Sequence, residues 1–160
     1  MKDPALLELQ RYLHREIPLS EAMGVAVTHS GPDGVRLAMP LGPNLNHRGG
    51  LFGGSAAALA ILAGWTLVHE KLRDDEGLDP HLVIQRSLVS YLEPVTGDVE
   101  ARSIPPSPEA WERFVRTFRR RGRGRIEVEA RLAREGGRVA GRFHGTFVAL
   151  ERLEEEGSDG

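Results

Sequence analysis

Residues 51–68 read LFGGSAAALAILAGWTLV and form the most apolar segment of the chain. The segment carries no Asp, Glu, Lys or Arg and is close to the shortest length that spans a bilayer. However, it contains three glycines and many alanines, and no second segment of this kind accompanies it. A helix that is apolar on every side is also what the centre of a fold requires when a sheet wraps around it. We therefore predict no membrane span but a buried central helix from Gly54 to about Leu72, which runs into the charged residues 69–77 and stops near Gly77.

The composition of the chain limits the class of protein. Its 160 residues suit one domain, and a net charge of −2 favours neither a nucleic-acid binder nor an acidic scaffold. The absence of cysteine excludes disulfides and thiolate chemistry and fits a reducing compartment. Residues 1–18 lack the apolar core and cleavage site of a signal peptide. We expect a cytoplasmic protein.

The periodicity of apolar residues predicts the remaining elements. Residues 1–16 show helical spacing behind a capping aspartate, and the turn residues 31–34 indicate a hairpin. Alternation in the second half predicts strands, with one connecting helix between them. These segments are 81–95, 98–104, 125–133 and 138–150 for the strands and 105–122 for the helix. The pattern indicates an α+β fold, an antiparallel sheet around a central helix, followed by an acidic tail over 151–160 that we predict to be disordered.

The loop before the central helix, NLNHRGGLFGGS at residues 44–55, holds most of the candidate site residues. Gly53 and Gly54 place backbone N–H groups at the positive end of the helix dipole, where a carbonyl oxygen or oxyanion is held favourably. An asparagine amide orients water or a carbonyl, an imidazole transfers protons, and a serine becomes a nucleophile when a base activates it. The candidate catalytic residues are Asn46, His47 and Ser55.

A purely structural interpretation of the same loop stays open. In that interpretation Ser55 or an asparagine caps the helix and the glycines form a tight turn. His47 is then a solvated loop residue. The histidines elsewhere in the chain show no metal-ligand spacing, and we expect neither a metal nor a cofactor.

Three segments of the chain carry a family pattern: PLGPNLNHRGGLFGGSAAALAILAGWTLVHEKL, VIQRSLVSYLEPVTGDVEAR and GRFHGTFVAL. Together they resemble the hotdog-fold thioesterase-like domain at the C-terminal end of YiiD proteins, from about Ile17 to Leu150. The resemblance implies a single hotdog domain over 17–150, at least a dimer, as a homodimer or a homotetramer, and an acyl thioester substrate that enters between subunits. Its strongest positions are Asn44, Asn46, Gly49, Phe52, Gly53, Gly54 and Ser55, which lead into Gly64 and Trp65.

One departure from related enzymes concerns the catalytic groups. Many hotdog thioesterases resemble the pattern Asn-x-x-Gly-x-x-His-Gly-Gly, with an aspartate on the following helix. Here Phe52 stands at the histidine position and Ile61 at the aspartate position. The resemblance therefore implies a substrate-binding set without the helix carboxylate. Its members are Asn44, Phe52, Gly53, Gly54 and Ile61.

The proton-transfer group must then lie elsewhere. Glu93 and Asp98 reach the site only if the strand after YLEP lies beside it, and otherwise they are turn residues. We predict hydrolysis by a water that Asn46 positions, with the thioester carbonyl polarised by the N–H groups of Gly53 and Gly54.

The expected function is hydrolysis of an acyl thioester, carried by coenzyme A or an acyl carrier protein. A non-catalytic acyl-thioester binding or regulatory module is the alternative from another class, followed by a hotdog dehydratase. The arginine-rich segment RFVRTFRRRGRGR, residues 113–125, has three interpretations: a solvated surface, a contact for the phosphates of coenzyme A, or a nucleic-acid site. They are ranked in that order, and we expect no nucleic-acid partner.

Overall fold

The computed structural model describes residues 3–153, which form four helices and one six-stranded sheet. The helices are α1 (Pro4–Glu16), α2 (Pro18–Ala22), α3 (Gly53–Glu76) and α4 (Pro108–Arg121). The strands are β1 (Ala26–Gly31), β2 (Gly34–Met39), β3 (His81–Tyr91), β4 (Val99–Ile104), β5 (Arg123–Arg134) and β6 (Val139–Leu150). Most of the predicted acidic tail lies outside the described residues.

Every strand pair in the sheet is antiparallel, and the strand order is β1-β2-β4-β5-β6-β3. Strand β3 is therefore an edge strand although it is long, and Val83, Ile84 and Leu88 on it are exposed. An exposed apolar edge of this length offers a row of unpaired backbone groups to another strand.

The central helix α3 packs against the sheet through a close approach at one glycine. A Cβ atom at Gly64 would lie 3.0 Å from the ring of Phe147 and 3.4 Å from that of Phe143, both on β6. Because these rings fill the space that a side chain would need, only a residue without a side chain lets helix and strand approach this closely. The predicted α+β hotdog fold, an antiparallel sheet around a long central helix, is confirmed.

The start of α3 differs from the structural interpretation of the glycine loop. The helix begins at Gly53, its N-cap residue is Phe52, and no side chain caps it. The interpretation in which Ser55 or an asparagine caps the helix is therefore wrong. The last helical residue is Glu76, and the predicted stop near Gly77 is confirmed by the φ of 64° at that residue, the left-handed conformation of a helix C-cap. Within residues 3–153, no helix combines the length and apolarity that a bilayer crossing requires.

The two faces of the sheet have different surroundings. Along β5, residues alternate between burial and exposure from Arg123 to Leu132. The buried set faces α3 and α4, and the charged set forms the opposite side, which we call the outer face. Strand β4 pairs only with the second half of β5, Glu129–Arg134, and helix α4 lies against the first half. The side chains that α4 buries are the predicted ones: Trp111, Phe114, Val115 and Phe118.

A buried histidine lies in an aromatic stack on α3. The His69 ring stacks between Tyr12 and Trp65, with centroid distances of 5.1 and 4.7 Å. The Trp65 indole donates to the Leu82 carbonyl at 2.8 Å, whereas the buried His69 Nε2 has no partner among the described residues. Burial, reinforced by the nearby positive charge of Arg73, lowers the pKa of His69. The folded protein therefore favours the neutral ring.

We expect His69 to make the free energy of unfolding depend on pH below about pH 6.5. In this range His69 binds a proton in the unfolded chain but stays neutral in the folded chain. The free energy of unfolding therefore falls as the pH is lowered towards the depressed pKa, by at most about 1.4 kcal/mol per pH unit. Denaturant unfolding of His69→Phe, which keeps a stacking ring, should show a shallower fall between pH 7.5 and 5.5 than the wild type.

The control for this experiment is His81→Gln, which removes an exposed histidine and should leave the wild-type pH dependence. Burial and the neighbouring Asp74 raise the pKa of Glu70, which acts in the opposite direction. The difference between variants is therefore the quantity to measure. Equal slopes for His69→Phe and the wild type would contradict the prediction.

Candidate functional site

The loop ahead of α3 is fastened to the rest of the fold by Asn44. Its side chain is 2% exposed, and its amide nitrogen donates to the carbonyls of Met23 and Pro40 at 2.9 and 2.8 Å. The backbone carbonyl oxygen of Asn44 accepts from the Phe52 N–H at 2.8 Å, immediately before α3. Both amide donors are thus used inside the chain, and Asn44 orients the entrance of α3. Its predicted substrate contact stays a prediction.

Asn46 uses its side chain to shape the same loop. Its Oδ1 accepts from the backbone N–H groups of Arg48 and Gly50 at 2.8 and 3.0 Å, and its Nδ2 lies 3.4 Å from the Leu51 carbonyl. The backbone N–H also donates to the Gly50 carbonyl at 2.7 Å. Asn46 is therefore the residue around which the turn is built, and the predicted role in positioning water requires it to exchange one of these bonds.

The first turn of α3 presents free backbone donors. The first hydrogen bond of the helix joins the Ala56 N–H to the Phe52 carbonyl at 3.1 Å. The N–H groups of Gly53, Gly54 and Ser55 have no acceptor among residues 3–153. Since no side chain caps the helix, these three donors and the positive end of a 24-residue helix are available to an oxygen atom.

A cavity of about 320 Å³ opens at Gly53, the first of these three residues, and most of its lining is apolar. Tyr91, at the end of β3, reaches across it, and its hydroxyl donates to the Gly53 carbonyl at 2.9 Å. The exposed ring of Phe52 lies over Gly54 on the other side of the helix start. The main lining residues are Leu51, Gly53, Ala56, Tyr91, Val95 and Leu132.

Glu93 also lines this cavity and supplies a carboxylate near the start of α3. One carboxylate oxygen forms an ion pair with Arg138. The other, Oε2, lies 3.6 Å from the Arg134 guanidinium, which is too long for a hydrogen bond, and it is buried without a hydrogen-bond partner. The sequence predicts Glu93 at the site only if the segment after β3 lies beside the start of α3. The lining of the cavity meets this condition.

The other sequence candidates lie in different surroundings. Asp98 Oδ1 accepts from the Leu41 N–H at 3.1 Å, so this carboxylate holds the loop after β2. His47 is exposed, and the Ser55 hydroxyl has no base bonded to it among the described residues. Ile61 packs against the core. The fold therefore brings Gly53, at the start of α3, together with Glu93 in one cavity. Sequence reasoning missed Tyr91 because only the strand register places it there.

The arginine-rich segment lies away from this site. A larger, more polar cavity of about 610 Å³ lies between α4 and β5, with Arg113 and Arg125 in its lining together with Glu127 and Glu129. Arg119 pairs with Glu76 at 3.1 Å at the end of α3. The arginines of the arginine-rich segment therefore lie beside acidic as well as basic side chains. In the described part of the chain, no three metal-ligating side chains converge on one point.

Several solved structures share this fold. A protein of unknown function from Chlorobaculum tepidum TLS matches with a TM-score of 0.86 and 26% identity, over 92% of this chain and 95% of that chain. A putative thioesterase from Shewanella oneidensis matches with a TM-score of 0.80 and 26% identity, over 93% of this chain and 99% of that chain. A thioesterase from Haemophilus influenzae, with a TM-score of 0.75 and 21% identity over 97% and 96%, shows the fold alone.

The family is shown by a match along almost the whole chain. The family model described as "Putative thioesterase (yiiD_Cterm)" matches residues 6–151. This range contains the loop at 44–52, the uncapped start of α3, the segment that carries Glu93 and all six strands. The chain therefore belongs to the YiiD C-terminal family of putative thioesterases.

Proposed function

We propose that this protein hydrolyses an acyl thioester in the cavity at the start of α3. The observation that carries the proposal is an apolar cavity lined by both Gly53, the first of three consecutive residues with unpaired helix N–H groups, and the carboxylate of Glu93. A volume of about 320 Å³ is at the small end of ligand sites and fits a short or medium acyl group. Membership of the family supports the same reaction class.

In the proposed mechanism the acyl chain lies against Leu51, Ala56 and Leu132, and the thioester carbonyl oxygen points at the first turn of α3. The N–H groups of Gly53 and Gly54 donate to this oxygen and stabilise the negative charge that develops on it. Because the donors are already oriented by the helix, no reorganisation is needed as the charge forms.

Glu93 acts as the general base in this mechanism. Its carboxylate accepts a proton from a water molecule whose oxygen attacks the thioester carbon. The tetrahedral intermediate then expels the thiolate as the C–S bond breaks, and the proton returns from Glu93 to the leaving sulfur. The products are a carboxylic acid and a thiol, and the carboxylate is regenerated. The sequence-based proposal that Asn46 positions this water is compatible with the same attack.

We also propose that two copies pair through the β3 edge. Antiparallel pairing of β3 with the same strand of a partner satisfies the free backbone groups and covers Val83, Ile84 and Leu88. The pairing would place the partner's strand beside Tyr91 at the mouth of the cavity. The thioester would then enter between subunits, carried either by coenzyme A or by a carrier protein.

The alternative is a module that binds an acyl thioester without cleaving it. Residues 51–69 of the loop and helix contain no carboxylate, and the arginines beside Glu93 also suit a purely structural ion pair. Both functions use the same cavity, so turnover separates them.

The experiment is release of free thiol from a panel of acyl-coenzyme A esters of two to twelve carbons. We expect turnover with a maximum at one chain length, and Asn46→Ala, His47→Ala and Ser55→Ala measured beside the wild type assign the loop residues. Saturable binding of every ester with no thiol released above the uncatalysed rate would reject hydrolysis and leave the binding module.

A further inference from the structure

Four arginines stand in one line across the outer face of the sheet. Arg36 on β2 is directly opposite Arg102 on β4, Arg102 is opposite Arg131 on β5, and Arg131 is opposite Arg142 on β6. Directly opposite residues of antiparallel strands point to the same face. With strands about 4.8 Å apart, this arginine row is about 14 Å long.

The arginine row carries a repulsion that the fold does not relieve. Like charges at directly opposite positions destabilise a sheet. Arg102 pairs with Glu100 at 2.7 Å, but Arg36, Arg131 and Arg142 are exposed and have no carboxylate partner among residues 3–153. The chain as a whole has a net charge of −2, so three arginines without an ion pair on one line are a local property of this face. An anionic partner would relieve the repulsion.

The residues beside the arginine row limit what the partner is. The next line across the sheet contains Ile104, Glu129, His144 and Leu88, in that order. The phosphate backbone of a nucleic acid that extended over this line would meet the negative charge of Glu129. The exposed aromatic side chains of the described residues, Phe52 and Tyr91, lie at the start of α3 and not on the outer face, which therefore offers no platform for stacked bases.

An acidic helix fits the arginine row in both length and width. Carboxylates at positions i, i+4 and i+8 of a helix lie on one face and span about 12 Å at 1.5 Å per residue. A helix also covers the row while leaving one side of each guanidinium in water. A second sheet packed about 10 Å away would instead bury the guanidinium groups between two flat surfaces, which is unfavourable for each unpaired ion.

The arginine row lies directly behind the wall of the cavity. Arg131 precedes Leu132, which lines the cavity, and Arg142 is opposite Ser90, which precedes Tyr91. Since consecutive strand residues point to opposite faces, the row and the cavity are separated by one layer of the sheet. A partner on the row would have a short path around the strand ends near Glu93 to the site.

We infer that the arginine row docks an acidic helix of the protein that carries the acyl thioester. The inference rests on the proposed hydrolysis for its biological meaning, but docking is measured separately from turnover. It assigns the carrier-protein thioester, in preference to free acyl-coenzyme A, as the substrate whose recognition depends on Arg36, Arg102, Arg131 and Arg142.

The test uses holo-acyl carrier protein as the binding probe and the full chain with both Arg131→Glu and Arg142→Glu. These two arginines are exposed and have no ion pair among the described residues, so their exchange spares the fold. The matched control carries Arg116→Glu and Arg120→Glu, the same change of charge on the exposed side of α4. We expect the row variant to weaken Kd at least tenfold at 50 mM salt and the control to stay within twofold. The milder pair Arg131→Gln and Arg142→Gln should fall between the two.

Hydrolysis gives a second readout. With one acyl group on the carrier protein and on N-acetylcysteamine, the row variant should lose at least tenfold in kcat/KM for the carrier substrate and keep the rate for the small one. Docking is overturned if the two glutamate variants bind the carrier equally, or if a 20-base-pair DNA duplex binds more tightly than the carrier and loses its affinity in the row variant. Absence of turnover on N-acetylcysteamine esters, with carrier binding intact, would reject the hydrolase and not the docking.

Discussion

Replacing Gly53 by proline should lower kcat for thioester hydrolysis by about 10²–10³-fold while α3 stays folded. Gly53 is the first residue of the helix, a position where proline is favoured and where it removes one N–H group without breaking a helical hydrogen bond. The preceding residue, Phe52, already has the extended conformation that proline requires of its neighbour, with φ −66° and ψ 127°. The substitution therefore deletes one proposed oxyanion donor from an otherwise intact helix.

The control for this prediction is Gly53→Ala, which keeps the N–H. Its Cβ would lie 3.4 Å from the Tyr91 ring, an ordinary contact, so we expect a change in kcat of no more than a few-fold. Circular dichroism and thermal unfolding check that both variants are folded. An equal loss in the alanine variant would assign the effect to crowding against Tyr91, and full activity of the proline variant would place the oxyanion elsewhere.

The second large effect is expected for Glu93→Gln, which should reduce kcat by about 10²–10⁴-fold. Glutamine has nearly the same shape, so the cavity keeps its lining, but it cannot accept a proton from water. The measurement is kcat with the best ester of the chain-length panel.

Arg138→Gln separates catalysis from a structural ion pair. Arg138 contacts the Glu93 carboxylate from the side of the β5–β6 turn, and its exchange removes the pair while the carboxylate stays. If Glu93 serves only that ion pair, the two glutamine variants should lose activity to the same extent. If Glu93 is the base, Arg138→Gln should retain most of the turnover, whereas Glu93→Gln should not.

The predicted central helix depended on composition alone and was found close to its expected place. Residues 51–68 are so uniformly apolar that only a buried helix suits them in a chain with this charge content. The predicted stop near Gly77 was correct, and the start lies one residue earlier than predicted, at Gly53, because helix ends depend on local bonds. Asn44 binds the Phe52 N–H and fixes the point where the helix begins, and a capping preference of Ser55 has no influence there. The short helix α2 was missed, since its five residues are too few to show a period.

The candidate site also has one part that the local sequence predicts and one part that depends on the tertiary fold. Gly53, Gly54 and Ser55 are consecutive at a helix start, so their donors were predictable from local sequence, and the structure leaves all three unpaired. Glu93 and Tyr91 lie about forty residues away in the chain, and a turn residue and a site residue look alike in that segment. Their position follows from the register of β3 with β6, which is set by packing along the whole sheet.

The sequence by itself determined the α+β class, the central helix and the glycine-rich start of that helix, because apolar periodicity and glycine content act over a few neighbouring residues. Only the tertiary structure decided that Glu93 shares a cavity with the helix start and that four arginines from four strands form one row. Both are cross-strand relations. A shift of one residue in register would turn each of these arginines to the opposite face, and no local pattern in the chain encodes that register.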